Sequence, residues 1–130
     1  RAQSIQTLHQ PINELEARED AAGTWRAYVN KTLEREYAGL FERLDLLIML
    51  RAPSFDVVYG WRKKQEDALR AINQDREVQG LMDETALKRF IMHYQRITEA
   101  MLEELPDHAD CVISLSDSQK PLNVRWKQPA

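Results

Sequence analysis

The cationic side chains between residues 62 and 70 are the first candidates for chemistry in this sequence. The segment 61–70 reads WRKKQEDALR, and its cations are Arg62, Lys63, Lys64 and Arg70. Phosphate oxygens accept hydrogen bonds from such groups, and an arginine presents a planar fork to a pair of them. On spacing alone an ordinary solvated helix surface is the favoured explanation, because Glu66 and Asp67 provide partners four residues from Arg62 and Lys63.

The elements around this cluster are those of an α/β anion site. An apolar run at 46–50 (LLIML) predicts a buried strand over 45–50, and Pro53 favours a turn directly after it. A helix is then predicted over 54–73, with Ser54 as its cap. Because Leu and Met are good helix formers, a helical interpretation of the apolar run stays open.

The remaining chain predicts two more helices and one more strand. We expect a polar, extended lead-in over 1–23, with one helical turn near 12–17, and a helix over 24–41. A helix over 83–105 follows, with Asp83 as its cap, then a strand over 111–115 and an unpatterned tail over 116–130. Two short strands cannot form a stable parallel sheet alone. The sequence therefore predicts a fragment of an α/β fold that is predominantly helical and has two short strands. Its first residue is Arg1 rather than Met.

Composition limits the classes of function. The chain has 130 residues and a net charge of −3, so a global basic field for nucleic acid is absent. One cysteine, Cys111, fits a reducing compartment, and no apolar run approaches the ~18 residues that span a membrane. We therefore expect a cytoplasmic protein without nucleic-acid or membrane partners. The histidines lack metal-ligand spacing, and no glycine-rich phosphate loop is present.

Several segments resemble one known family in sequence and in order. They are PINELE at 11–16, WRAYVN at 25–30, LFERLDLLIMLRAPSFDVV at 40–58, WRKKQE at 61–66 and RFIMHYQRITEAMLEELPDHAD at 89–110. Together they resemble the bacterial D-glycerate 3-kinases, P-loop kinases related in fold to uridine kinase and pantothenate kinase. The resemblance covers the C-terminal half of that family only. It implies that the two strands are the last two of a five-stranded parallel sheet.

The resemblance also implies roles for individual residues. WRKKQE occupies the place of the mobile lid, so Arg62 is expected at the transferring phosphate, with Gln65 and Glu66 orienting it or the substrate. In WRAYVN, Arg26 is expected at the substrate carboxylate and Asn30 at a hydroxyl. Ser116 and Lys120 lie where such kinases pass the adenine.

Trp25 and Trp61 each precede an arginine, and two interpretations of that repeat stay open. Each tryptophan could pack inward while the arginine reaches a pocket edge. Alternatively, both are core tryptophans with exposed neighbours.

The resemblance implies that the whole protein transfers the γ-phosphoryl group of ATP to a small hydroxy acid. D-glycerate is the first candidate for this acceptor. ATP and Mg²⁺ would be bound mainly by the missing N-terminal half, so this chain alone should be inactive. Two alternatives stay open. The chain could be a helical interaction module, which as an isolated fragment would dimerise through 46–50 and the Phe90, Ile97 and Met101 stripe. A related kinase with another acceptor, such as a nucleoside or pantothenate, is the third possibility.

Overall fold

The chain folds into short helices, two long helices and a small mixed sheet. The computed structural model describes residues 2–73 and 81–127. In chain order the elements are α1 (Ile5–His9), α2 (Glu14–Glu19), α3 (Thr24–Thr32), a π-helical segment (Leu33–Tyr37), α4 (Ala38–Phe41), β1 (Ile48–Arg51), α5 (Asp56–Ile72), α6 (Glu84–Glu104), a 3₁₀ turn (Leu105–Asp107), β2 (Cys111–Leu115) and β3 (Pro121–Trp126).

The sheet has three strands in the order β1-β2-β3 within the described residues. β1 and β2 are parallel, with Met49 opposite Val112. β3 pairs antiparallel with β2, so the prediction of an unpatterned tail over 116–130 is wrong at 121–126. The missed signal is an alternation of apolar and polar residues after a polar turn, in which Gln119 has a left-handed backbone (φ 63°). Residues 128–130 of the predicted tail lie outside the described residues.

The N-terminal lead-in is helical rather than extended. Ser4 and Asn13 each begin a short helix, because their side-chain oxygens accept hydrogen bonds from the backbone N–H groups of Thr7 and Glu16. The Asn13 amide also donates to the carbonyl oxygen of Met92 on α6, at 2.9 Å. The expected single turn is therefore a helix that is fastened to the longest helix of the chain.

The predicted boundaries of the three long helices shift in the structure. The 24–41 helix contains the π-helical segment between α3 and α4. The 54–73 helix begins at Asp56, and its cap position is Phe55, without a side-chain hydrogen bond, so Ser54 does not cap it. The 83–105 helix is α6, and Asp83 caps it by accepting from the N–H of Ala86. Along the α6 stripe, Leu87 and Ile91 are buried, while Tyr94, Ile97 and Met101 are exposed.

The hydrophobic cluster of the described residues lies on one face of the sheet. Met49, Ala109 and Val112 are buried there, and the partly buried Leu102 and Leu105 pack against them. The opposite face carries four large apolar side chains in register with one another that are 49–65% exposed, namely Ile48, Leu50, Val124 and Trp126. No helix in the described ranges is long and apolar enough to cross a membrane.

Candidate functional site at the carboxyl end of the parallel strands

The carboxyl ends of β1 and β2 open into a shallow depression. Residues 51–53, 114–118 and Leu122 line it, around a volume of about 710 Å³. Ligands of α/β proteins commonly bind at this end of parallel strands, because the loops that follow the strands diverge there. The depression therefore lies where the sequence predicts an anion site.

The loop after β2 is a tight turn that closes one side of the depression. Ser116 bonds to Lys120 in both directions, through its backbone N–H (2.9 Å) and through its hydroxyl, which accepts from the Lys120 N–H at 3.1 Å. Ser116 lines the depression, whereas Lys120 is exposed and does not line it. The two residues expected near an adenine are thus adjacent, but only Ser116 faces the concave side.

Trp61 connects the helix α5 to this turn. Its indole N–H donates to the carbonyl oxygen of Asp117, 56 residues further along the chain. The N-terminal part of α5 is therefore held beside the depression by a hydrogen bond between a side chain and a loop backbone. This contact places the WRKKQE segment next to the carboxyl ends of β1 and β2.

Arg62, Gln65 and Glu66 form one cluster on α5. The Arg62 guanidinium donates to the Gln65 side-chain oxygen and pairs with the Glu66 carboxylate at 2.8 Å. Its carbon Cζ lies 5.5 Å from the centre of the Phe90 ring on α6. Glu66 is 3% exposed and also accepts from the N–H of Met82. The structure brings these three predicted residues together, with Arg62 packed against α6.

One atom of this cluster has an unused hydrogen-bonding capacity. The Nε of Arg62 is buried and has no hydrogen-bond partner in the part of the chain that the structure describes. Buried N–H groups are nearly always satisfied, so this one is an exception. It lies where Arg62 packs against α6, and Arg62 is not among the residues that line the depression.

The other cations of α5 are ordinary surface groups. Lys63 pairs with Asp67 at 2.7 Å, and that hydrogen bond raises the pKa of Lys63 above its ordinary value. Arg70 pairs with Asp67 as well and donates to the Met82 carbonyl oxygen. Exposed pairs of this spacing contribute little to stability. For Lys63 and Arg70 the interpretation as a solvated helix face accounts for the structure.

Arg26 lies in the protein interior, away from the depression. It is 6% exposed, and its guanidinium donates to the carbonyl oxygens of Leu8 (3.0 Å) and Asp20 (2.8 Å). The carboxylates of Glu16 and Asp20 lie 3.8 and 3.4 Å from the same group. These partners occupy its donors and give Arg26 a structural role, while its expected contact with a substrate carboxylate stays a prediction.

Trp25, the residue before Arg26, points outward, although both interpretations of the Trp-Arg repeat place the tryptophan inward. Trp25 is 68% exposed and packs edge-to-face on Tyr28. The cause is at the start of α3, where the Asp20 carboxylate accepts from the N–H groups of both Trp25 and Arg26. That contact turns Arg26 toward the N-terminal helices and Trp25 outward. The interpretation of inward tryptophans fails at this position.

Asn30 is likewise occupied by a structural contact. Its amide oxygen accepts from the Gln3 N–H at 2.6 Å, and its amide nitrogen donates to the Gln3 carbonyl oxygen at 3.0 Å. Both polar ends of the side chain therefore hold the N-terminal segment. The expected contact of Asn30 with a substrate hydroxyl stays a prediction, as it does for Arg26.

Arg96 is a buried residue that stabilises the fold, and no pattern in the sequence indicates this role. It is 9% exposed and binds Glu16 through two hydrogen bonds, Nε to Oε1 at 2.8 Å and Nη2 to Oε2 at 2.6 Å. It also donates to the Gln10 carbonyl oxygen at 2.7 Å. Partial burial acts to raise the pKa of Glu16, but the Arg96 hydrogen bonds and charge, with that of Arg26, keep it below its ordinary value.

The described residues offer no group of three or more histidine, cysteine or acidic side chains placed to hold a metal ion. Cys111 is a buried free thiol within β2.

A comparison with curated proteins gives one relative. Over 67 residues the chain is 37% identical to "Uncharacterized kinase mug58" of Schizosaccharomyces pombe (strain 972 / ATCC 24843). The match covers 52% of this chain and 22% of the relative, so it spans about a fifth of the length of that protein. No family model matches the chain. No solved structure matches it.

Proposed function

We propose that this chain is the lid-bearing, C-terminal part of an ATP-dependent phosphotransferase with a P-loop kinase fold. The observation that carries the proposal is the arrangement at the carboxyl ends of β1 and β2. An open depression there lies beside α5, which Trp61 connects to the Asp117 loop and which carries Arg62, Gln65 and Glu66 as one cluster. The similarity to a protein named a kinase supports the same class of reaction.

The acceptor is a small hydroxy acid, with D-glycerate first among the candidates. Its support is the sequence resemblance described above. Nucleosides and pantothenate are the alternative acceptors. Because Arg26 and Asn30 are occupied by structural contacts, the acceptor would be held by groups around the depression or by the remainder of a longer protein.

The residues of this chain fit an anionic group better than a metal ion. Arg62 would neutralise charge on a transferring phosphoryl group, and Glu66 would hold the guanidinium in place from the buried side. The chain lacks a glycine-rich phosphate loop, and its described residues lack a carboxylate cluster for Mg²⁺. ATP and Mg²⁺ would therefore be bound mainly by a segment outside this sequence. The location proposed for the whole protein is the cytoplasm.

The test is an assay of a protein that contains this chain together with a phosphate loop. ADP release with Mg-ATP is measured against D-glycerate, other hydroxy acids, a nucleoside and pantothenate. Replacing Arg62 by Ala should lower acceptor-dependent turnover at least ~100-fold, the scale of one lost transition-state contact. Arg70→Ala, which changes a solvated cation on the same helix, is the matched control and should leave turnover within ~3-fold.

Two results would contradict the proposal. Equal activity of the Arg62→Ala and Arg70→Ala proteins would remove Arg62 from the reaction. Absence of turnover with every acceptor, from a folded protein, would favour the second candidate function, an interaction module. The exposed apolar side chains of α3 and α4 favour that alternative, since Trp25, Tyr28, Leu40 and Phe41 are each more than half exposed.

A further inference from the structure

One row of side chains on β1 and β2 changes from apolar to polar at the carboxyl ends of the strands. Met49 and Val112 lie opposite each other and are buried in the hydrophobic cluster. Because alternate residues of a strand share a face, the next pair on the same face is Arg51 and Ser114, which are also opposite each other. A guanidinium and a hydroxyl therefore lie side by side where the two parallel strands end.

Arg51 and Ser114 both line the depression at the carboxyl ends of β1 and β2. Neighbouring strands are about 4.8 Å apart, so one small group in the depression can contact both side chains. Arg51 is the only cation among the described residues of this lining. Arg62, by contrast, packs against Phe90 on α6 and is not part of the lining.

Neither side chain serves the fold in the described parts of the chain. Arg51 is exposed and takes part in none of the ion pairs there. The hydroxyls of Ser116 and Ser118 bond to each other at 3.0 Å, whereas the Ser114 hydroxyl makes no such contact in these ranges. Arg51 and Ser114 are therefore two available donors that face one depression.

The chemistry of this pair suits an oxyanion. An arginine presents a planar fork of N–H groups to two oxygens of a carboxylate or a phosphate, and a hydroxyl adds one more donor. Asp117 also lines the depression, but in the described structure its carboxylate forms no ion pair with Arg51, and Trp61 holds its carbonyl oxygen. The positive charge of the lining is therefore not neutralised by its own acid.

We infer that Arg51 and Ser114 bind an oxyanion of a ligand in the depression, which is the carboxylate of an acid acceptor or a phosphate of the nucleotide. Both sources present the same chemistry to the pair. The inference rests on the proposed function for the choice of these two ligands. It assigns Arg51 to binding, whereas Arg62 is proposed to assist the chemical step.

The test uses a protein that contains this chain together with a phosphate loop, and it measures binding separately from turnover. Isothermal titration calorimetry gives the Kd of D-glycerate and of Mg-ADP, and steady-state kinetics gives kcat and the KM for D-glycerate and ATP. Arg51→Gln should raise the Kd and KM of the oxyanion ligand at least ~10-fold, the scale of a lost hydrogen bond to a charged group, and leave kcat within ~3-fold. Ser114→Ala should raise the same constants about 3–10-fold.

The ligand that responds identifies the source of the oxyanion. An effect on D-glycerate alone assigns the contact to the carboxylate of the acceptor. An effect on ADP and ATP alone assigns it to a phosphate of the nucleotide. The amide of D-glycerate and adenosine are the control ligands, because they lack the oxyanion, and Arg51→Gln should leave their binding unchanged.

Two further variants separate a specific contact from a general effect of charge. Arg43→Gln is the matched control, because Arg43 is an exposed arginine outside the depression, and it should leave every constant within ~3-fold. Asp117→Asn removes the negative charge of the lining, so it should bind the oxyanion at least as tightly as the wild-type protein. Thermal unfolding of each variant shows that it is folded.

Three results would overturn the inference. The first is unchanged binding of both D-glycerate and ADP in Arg51→Gln, or a folded wild-type protein that binds neither ligand. The second is an equal loss of binding in Arg43→Gln, which assigns the effect to net charge. The third is an equal loss in Asp117→Asn. Binding that depends on Arg51 but is followed by no turnover would contradict the proposed phosphotransferase activity and leave this inference in place.

Discussion

Arg96 and Glu16 lie 80 positions apart in the chain and form a two-point ion pair, with donor–acceptor distances of 2.8 and 2.6 Å. Their side chains are 10% and 12% exposed. The pair joins α6 to the N-terminal helices α1 and α2, and Arg26 approaches the same carboxylate from α3. One buried carboxylate thus holds together elements from both ends of the sequence.

Breaking this pair should destabilise the chain strongly. Arg96→Met leaves the Glu16 carboxylate buried without its main partner, so the free energy of unfolding should fall by about 2–4 kcal/mol. Urea unfolding, followed by circular dichroism, measures the change. Arg89→Met is the matched control, because Arg89 pairs with Glu19 between the same two helices but both side chains are about half exposed. Its loss should be within ~1 kcal/mol. Equal effects of the two variants would contradict a special role for burial.

The lowered pKa of Glu16 predicts a loss of stability in acid. A carboxyl group whose pKa is lower in the folded chain stabilises that chain above its unfolded pKa, and the contribution disappears as the pH falls through the folded pKa. The free energy of unfolding should therefore decline below about pH 4.3, the ordinary value for glutamate. In Glu16→Gln the decline should be shallower, whereas Glu14→Gln, at an exposed pair with Arg18, should keep the wild-type slope. A Glu16→Gln slope that equals wild type would refute this assignment.

Arg26 should behave as a structural residue rather than a substrate contact. Arg26→Met removes the side-chain donor to the Leu8 carbonyl oxygen and the cation beside the carboxylates of Glu16 and Asp20, and should lower stability by about 2–4 kcal/mol. Lys31→Met, at an exposed position of the same helix, should change it by less than ~0.5 kcal/mol. In a protein with kinase activity, a raised KM for the acceptor at unchanged stability would contradict this prediction.

Local signals predicted part of the fold well. The apolar run at 46–50 and Pro53 indicate a strand and a turn, and the structure has β1 at Ile48–Arg51. Asp83 and the stripe behind it indicate α6. β3 was missed, because its alternation is short and every residue in it is exposed.

The environment of individual side chains depended on partners distant in sequence. The dipeptide Trp25-Arg26 does not reveal which residue turns inward, since Asp20 decides this at the start of α3. The residues near Arg96 in the sequence do not indicate that it forms a buried ion pair, because its partner Glu16 lies 80 positions earlier. By contrast, the family resemblance named Arg62, Gln65 and Glu66 together, and their spacing of three and four residues on a helix allows the contacts that the structure has. The kinase fold, the acceptor and the phosphate contact of Arg62 stay predictions.

The backbone conformation of Gly23 limits which residues can replace it. Its backbone is left-handed (φ 72°), and a Cβ at this position would lie 3.1 Å from Nη2 of Arg26. Most side chains at position 23 would thus be strained and would also press on the buried guanidinium. The left-handed backbone favours glycine at position 23 whatever residue stands at position 26. We therefore expect sequences with this fold to keep glycine at position 23 even where arginine 26 is replaced.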